Sequence, residues 1–400
     1  MGNMLSSKEA EDDNWKSDAR YAMESGTYCI ICGGPFDLEG DVYNLDPKEP
    51  RYQWVYDFRL LGHTHDVERH RATSGNNRPR NTSSVEDVFL SERASFSMSG
   101  AGIFEVVDES GTDDIWYNTL WYKPASTSSL FALHEACIET SCRALDRLRG
   151  GATPSLAMLY QFLNARFLAS HAHAHPKDDT ANDIFDLCRV SYSCGPRSVL
   201  AMTRLEWWGG EYDRFYANPL DIPDLEAFVF NVLVASSHEQ DSGSKMVLTM
   251  QEPRGIERLP TELFDIIRTY LPPKSVIKLH RTSKTLATKV PLHNAFWRDG
   301  LHDGSLHPHI WDLDIKRIET FRQESNITFS ASDWDWRSVA KLLAMKRFPV
   351  TGRDARLDDM PLGFWNRCRI WSVIEEALIH GREWPPAQRR RDSGFEVSKT

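Results

Sequence analysis

The sequence predicts an α+β protein, in which a mixed N-terminal region with a small sheet and helices precedes an all-helical module and a mainly helical C-terminal region. Three observations support this prediction. Aromatic and β-branched segments are concentrated in residues 51–123, apolar residues recur every three or four positions after that, and residues 256–300 are rich in leucine and isoleucine at helical spacing.

Three segments have the composition of strands: RYQWVYDFRLLG from Arg51, AGIFEVVDE from Ala101 and IWYNTLWYK from Ile115. Their aromatic and β-branched side chains suit a half-buried pleated surface. We therefore expect these segments to form the small sheet.

The apolar period then changes to that of helices. The segment SSLFALHEACIETSCRALDRLRG from Ser128 carries apolar residues every three or four positions and ends in arginines and Gly150, which is typical of a helix C-terminus. We expect a second helix in PSLAMLYQFLNARFLAS and a buried third helix in LEAFVFNVLVASS, around residue 230.

Composition divides the chain into six segments. Runs that are almost free of apolar side chains mark the boundaries, such as SSHEQDSGSK from Ser236. The predicted order is a disordered N-terminus (1–20), an α+β domain with a metal site (21–235), a linker (236–255), a helical module (256–300), a Trp-rich, mainly helical region (301–384) and a disordered tail (385–400).

Charge and cysteine content exclude several classes of protein. The net charge of −10, with lysine and arginine scattered among more numerous carboxylates, leaves no basic face for nucleic acid. No apolar run is long enough to cross a bilayer, so no membrane partner is expected. Seven cysteines without a secretory signal indicate reduced thiols in the cytoplasm and/or nucleus, where metal binding is a more common role than disulfide formation.

Four residues have the types and spacing of a structural zinc site. Cys29 and Cys32 lie in YCIICGGPF, where a turn followed by glycines directs both thiolates at one metal ion. His134 and Cys137, in LHEAC, are three positions apart on the predicted helix from Ser128 and should share one face. Together they would complete a tetrahedral Cys₃His site.

Two other interpretations of these residues stay open. The cysteines could be buried thiols beside a core histidine, since cysteine is common in protein interiors. Cys142 could also replace a ligand, although it lies five positions beyond Cys137 and off its helical face.

A catalytic zinc ion would need three protein ligands and an open position. Two histidine-rich stretches could supply them: His63, His65, Asp66 and His70, and His171, His173 and His175. Both lie in polar sequence that favours solvated loops, and alternating histidines share a face only in a strand. Because the chain also lacks GxSxG, P-loop and GxGxxG motifs, we predict no catalytic activity; a metal-dependent hydrolase that uses these histidines is the alternative.

Residues 256–300 predict three short helices. Pro260 suits the start of the first helix, and Pro272 and Pro273 end it. One stripe of this helix is apolar: Leu259, Leu263, Ile266, Ile267, Tyr270 and Leu271. The second helix carries Val276, Ile277 and Leu279, and the third carries Leu286 and Val290. Helices of about ten residues cannot bury all of this surface among themselves, so we expect a docking face.

The run from Leu259 to Trp297 resembles the F-box. The resemblance covers about a tenth of the chain and lies in the initial Leu-Pro, the Ile266/Ile267 pair, the Leu-Pro break, the VIKL helix, the Ser-Lys pair and the final Phe-Trp. Two positions depart from the family pattern: Thr282 stands where an apolar residue is usual, and Leu286 where many members have Trp.

This resemblance implies a non-catalytic substrate receptor of a Skp, cullin and F-box ubiquitin ligase. The F-box would pack against the Skp adaptor, which binds the cullin scaffold, and the rest of the chain would hold a protein substrate. The implied adaptor-binding residues, some of which also form the core of the module, are Leu259, Pro260, Leu263, Ile267, Leu271, Val276 and Leu279. The alternative, suggested by Thr282, is a scaffold whose F-box no longer engages an adaptor.

The flanking regions resemble fungal F-box proteins in which an N-terminal CxxCG is paired with a later HxxC, and a Trp-rich segment with an NRxRIW-like run follows the F-box. Here these are Cys29 to Gly33, His134 to Cys137, and WNRCRIW from Trp365, in which Cys368 has no implied metal role. Large aromatic residues mostly fill cores, although these could also line a recognition groove: Trp311, Trp334, Trp336, Trp365 and Trp371.

Overall fold

A computed structural model describes residues 29–32, 36, 48–70, 88–96, 103–107, 114–119, 129–149, 154–172, 217–239, 252–325, 334–344 and 355–379. The two termini predicted to be disordered and residues 240–251 of the predicted linker lie outside this part of the chain. The described residues form one antiparallel sheet and a larger set of helices, which confirms the predicted α+β class.

The chain divides into two compact units, residues 1–220 with 369–400 and residues 221–368. The limit between residues 220 and 221 differs from the predicted end of the α+β domain at residue 235. The helix around residue 230 belongs to the second unit because its apolar side chains pack with Trp334 and Trp336 in one core. Residues after 368 belong to the first unit.

The first unit contains the sheet. Its six strands are β1 (Phe58–His63), β2 (Val88–Leu90), β3 (Ala94–Phe96), β4 (Ile103–Val107), β5 (Asp114–Asn118) and β6 (Phe131–His134). They follow the order β2-β1-β3-β4-β5, and β6 also pairs with β1; every pairing is antiparallel. The strands predicted from Ala101 and Ile115 correspond to β4 and β5.

Strand β1 starts later than the sequence predicted. The segment from Arg51 begins within a 3₁₀ helix, Pro50–Tyr56, and the strand begins only at Phe58. Pro50 at the first position favours the helical turn, because its fixed φ suits a helix start and its missing N–H would have no partner there. The 3₁₀ helix buries Tyr52 and Trp54, which explains the aromatic composition that resembled a strand.

Two helices of the first unit, α1 (Glu135–Leu148) and α2 (Ser155–Ala172), pack against each other. The helix predicted from Ser128 is wrong over its first turns, since Phe131–His134 is strand β6 with all four residues buried. A fully buried strand has no alternation of polar and apolar residues, so the apolar period alone cannot distinguish it from a buried helix. The predicted second helix is confirmed as α2.

The second unit is helical. Its helices are α3 (Leu225–Glu239), α4 (Thr261–Tyr270), α5 (Pro273–Thr282), α6 (Lys284–Lys289), α7 (Asn294–His302), α8 (Ile315–Glu324) and α9 (Trp336–Leu343). Helix α10 (Leu362–Val373) begins in this unit, but its residues from Arg369 onward and the π-helix that follows, Ile374–Ile379, belong to the first unit. The predicted buried helix around residue 230 is confirmed as α3, and the three short helices of residues 256–300 as α4, α5 and α6.

Four of the five C-terminal tryptophans named above are core residues: Trp334, Trp336, Trp365 and Trp371. Trp311 is partly exposed, and the guanidinium of Arg367 lies 4.0 Å from its ring centroid. Arg367 also donates two hydrogen bonds of 2.6 Å to the carboxylate of Asp312. This bidentate pairing compensates the buried charge of Arg367.

Candidate functional site

The first unit brings together the four predicted ligands Cys29, Cys32, His134 and Cys137. Their ligand atoms all lie within 4.8 Å of one another, and each residue is fully buried. Sulfur and nitrogen atoms at such separations can surround one metal ion with tetrahedral geometry. The cluster could therefore hold a metal ion, and its complete burial leaves no open position for a substrate.

Three structural elements position these ligands. Cys29 and Cys32 lie in the turn at 29–32, whereas His134 is the last residue of β6 and pairs with Phe58 of β1. The backbone N–H of Glu135 donates a 2.8 Å hydrogen bond to the carbonyl of Asp57, which ties the start of α1 to the residue that precedes β1. Cys137 follows in the first turn of α1.

The prediction that His134 and Cys137 share one face of a helix is therefore wrong. His134 has extended backbone geometry, with φ −62° and ψ 141°, and it caps α1 instead of lying within it. The two side chains converge because the chain turns from strand to helix between them. The glycines that follow Cys32 lie outside the described residues.

Aromatic packing fixes the orientation of the His134 ring. Its centroid lies 4.9 Å from that of Phe36 and 5.2 Å from that of Trp54. Nδ1 lies 3.2 Å from the Cys32 sulfur, while Nε2 is buried without a hydrogen-bond partner. The ring thus presents Nδ1 to the sulfur atoms, as metal ligation at this nitrogen requires.

The electrostatics of the cluster favour a thiolate at Cys32 beside a protonated His134. Burial opposes ionisation of the Cys32 thiol, yet hydrogen bonds from Cys137 and Cys29 and the adjacent His134 charge together lower its pKa well below the ordinary value. Burial likewise disfavours the imidazolium of His134, but the Cys32 thiolate outweighs it and raises the pKa of His134 to about 10. Burial and the neighbouring sulfur atoms raise the pKa of Cys137 well above its ordinary value.

These shifts predict that metal binding releases protons. At pH 7 the metal-free cluster has protonated His134 and Cys137, whose pKa values lie above that pH, and both must lose a proton to become ligands. We expect Zn²⁺ binding to release protons from both groups and the apparent affinity to increase with pH. Calorimetric titration in two buffers of different ionisation enthalpy measures the number of protons released, and an identical heat in both would contradict the assignment.

Other metal ligands considered from the sequence lie elsewhere. Cys142 is not part of the cluster; burial is the main factor that raises the pKa of its thiol to about 11, which makes it a poor ligand at neutral pH. The rings of His63 and His65 lie 5.5 Å apart, but within the described ranges they form no group of three ligands with Asp66 and His70. The side chain of His171, and His173 and His175 entirely, lie outside the described residues.

One buried arginine beside the cluster was not predicted. Arg369 lies near the end of α10, in the NRCRIW run, and its Nη1 donates a hydrogen bond to the carbonyl of Cys32. The only sequence signal was the resemblance of that run to a family motif, because no short-range spacing links two residues that are 337 positions apart.

The helical module of residues 256–300 has a small core of its own, formed by Phe264, Val276, Leu286 and Val290. Four of the predicted adaptor-binding residues are partly buried against this core: Leu259, Ile267, Leu271 and Leu279. Val276, also predicted to bind the adaptor, lies within the core, whereas Pro260 and Leu263 are exposed. Phe264, the central core residue, was absent from the predicted stripe.

Helix α4 and the turn before it expose an apolar surface. In the described part of the chain, large exposed apolar side chains include Ile256, Leu263, Ile266 and Tyr270, which are 49%, 42%, 55% and 83% accessible. We call these four residues together with Pro260 the α4 face. Three other residues of the module pack against the main core of the second unit: Ile277, Leu292 and Phe296.

Comparisons of the chain with protein-family models, with curated proteins and with solved structures give no match. None of the helices in the described residues combines the length and the apolarity that crossing a bilayer requires.

Proposed function

We propose that this chain is the substrate-receptor subunit of a Skp, cullin and F-box ubiquitin ligase. The α4 face supports this proposal most directly, because it leaves three large apolar side chains of one helix accessible, Leu263, Ile266 and Tyr270. Contiguous apolar surface of this kind on a small helical module is typical of a docking site for partner helices.

The adaptor would pack against the α4 face, while the partly buried residues behind it hold the helices in position. Lys289 stabilises this arrangement, because its ammonium group donates hydrogen bonds of 2.8 Å and 2.6 Å to the carbonyls of Glu257 and Leu259. The departure from the F-box pattern at Thr282 costs the module little stability, because this side chain is exposed and its hydroxyl donates to the Lys278 carbonyl. Leu286, where many F-box proteins have Trp, fills the core of the module.

A receptor of this kind performs no chemistry on its substrate. It increases the effective concentration of a substrate lysine near a charged ubiquitin-conjugating enzyme. The buried metal cluster is consistent with this role, because a fully enclosed site can stabilise a fold but cannot admit a substrate. We propose that the metal is a structural zinc ion held by Cys29, Cys32, His134 and Cys137.

Replacement of Leu259 and Pro260 by Ala tests the proposal. We expect the double variant to bind a purified Skp adaptor at least about tenfold more weakly, a loss of roughly 2 kcal/mol, because Pro260 belongs to the α4 face and Leu259 precedes it at the start of α4. Calorimetric titration of the full chain with the adaptor measures this loss.

The matched control replaces Pro361 and Leu362 by Ala. These residues form the same kind of helix start, with Pro361 immediately before α10, and its carbonyl accepts from Phe364 N–H as that of Pro260 accepts from Leu263 N–H. The control should bind the adaptor as the unmodified chain does. Equal binding by both double variants and the unmodified chain would refute the proposed interface and favour a scaffold role.

A further inference from the structure

Arg369 is an arginine in the interior of the first unit. It is 3% exposed, and it reaches the turn at 29–32 through the hydrogen bond to the Cys32 carbonyl. A guanidinium keeps its positive charge at all physiological pH values, and burial of a charge is costly unless opposite charge lies nearby. The role of Arg369 therefore depends on which negative groups lie beside it.

The Cys–His cluster supplies negative charge when it holds a metal ion. Three thiolates and one neutral imidazole around a divalent ion leave one net negative charge, and complete burial keeps water from solvating it. Burial lowers the pKa of Arg369, and the sulfur atoms of Cys32, Cys137 and Cys29 oppose that shift. With its hydrogen bond to the Cys32 carbonyl, Arg369 lies close enough to the cluster for its charge to interact with the thiolates.

The neighbouring arginine of the same run has a different partner. Arg367 is two positions earlier and forms its bidentate pair with Asp312 within the second unit. Its charge is therefore compensated by a carboxylate, whereas Arg369 donates its hydrogen bond to the backbone carbonyl of Cys32, one of the four residues of the cluster. The two arginines of NRCRIW are not interchangeable.

We propose that Arg369 is the counter-charge and positioning residue of the metal centre: it holds the turn at 29–32 by its hydrogen bond and neutralises the metal–thiolate group. The end of α10 is then an integral part of a site whose ligands all come from residues 29–137. This inference rests on metal binding at the cluster and is independent of adaptor binding.

Metal affinity of full-length variants tests this role. Arg369→Met removes the charge and the hydrogen bond at similar length, Arg369→Lys restores the charge, and Arg149→Met is the matched control, since Arg149 also donates to a backbone carbonyl, that of Ile379, but is exposed. Competition with a chelating indicator for Zn²⁺ measures the affinity, and the Co²⁺ absorption spectrum reports the ligand set. Circular dichroism verifies the fold.

We expect Arg369→Met to bind Zn²⁺ at least about tenfold more weakly, with Arg369→Lys recovering part of that loss and Arg149→Met unchanged. The Co²⁺ spectrum should keep its thiolate bands in each variant that binds the ion. Unchanged affinity in Arg369→Met, or equal losses in the Met and Lys variants, would overturn the charge role. An unmodified chain that binds no metal would refute the metal centre as well, while leaving the adaptor proposal standing.

Discussion

The Cys137→Ser variant is expected to lose its zinc ion and to unfold in its first unit at a much lower temperature than the unmodified chain. Cys137 is fully buried within the ligand cluster, and a serine hydroxyl does not replace a thiolate as a zinc ligand. Because the free energy of binding a structural metal adds to the free energy of folding, the loss should exceed about 4 kcal/mol. Metal analysis and thermal denaturation measure both effects.

Cys142→Ser is the matched control for this variant. Cys142 lies on the same helix, α1, and is partly buried, but it is not part of the cluster. It should retain one zinc ion per chain and nearly the thermal stability of the unmodified protein, whereas a chelator should destabilise the unmodified protein as Cys137→Ser does. Equal stability and metal content in the two variants would leave only the interpretation of buried thiols.

Charges introduced on the α4 face should abolish adaptor binding without unfolding the chain. In the double variant Leu263→Asp and Ile266→Asp, both side chains are exposed in the free protein, so the new carboxylates are hydrated there. An interface that packs this face against apolar helices would bury both charges without partners. We expect adaptor affinity to fall by at least about a hundredfold, measured by calorimetric titration.

Val107→Asp controls for the introduction of a carboxylate on an exposed apolar residue. Val107 is 51% accessible, close to the value for Ile266, but it lies in β4 of the first unit. This variant should bind the adaptor normally. If the double variant also bound normally while keeping its helical circular dichroism, the α4 face could not be the docking surface.

The sequence predicted which residues form the Cys–His cluster more reliably than the elements that carry them. The CxxC and HxxC spacings are local, and their residue types are those of zinc ligands. Strand β6 was missed because Phe131–His134 is buried on both sides and therefore lacks strand alternation. Its identity as a strand depends on pairing with β1, whose paired residues lie at least seventy positions earlier. The position of Arg369 is even harder to predict from the sequence, because only folding brings this residue to Cys32.

In the helical module, too, the sequence predicted the elements but not how they pack. The apolar period predicted α4 and the stripe that includes Leu263, Ile266 and Tyr270, all of which are exposed. Phe264 was not predicted as the core residue, because the side of α4 that turns inward depends on its contacts with Val276 and Leu286 of the neighbouring helices. Periodicity identifies an apolar stripe, whereas tertiary packing decides which part of it is left for a partner.

Binding of the purified full-length chain to a purified Skp adaptor is the most direct test of the proposed receptor role. Titration calorimetry should give a complex of one chain with one adaptor and a Kd below about 1 μM, with a negative heat-capacity change from burial of the α4 face. Absence of binding by a folded, zinc-loaded chain at adaptor concentrations of about 100 μM would contradict the proposed function.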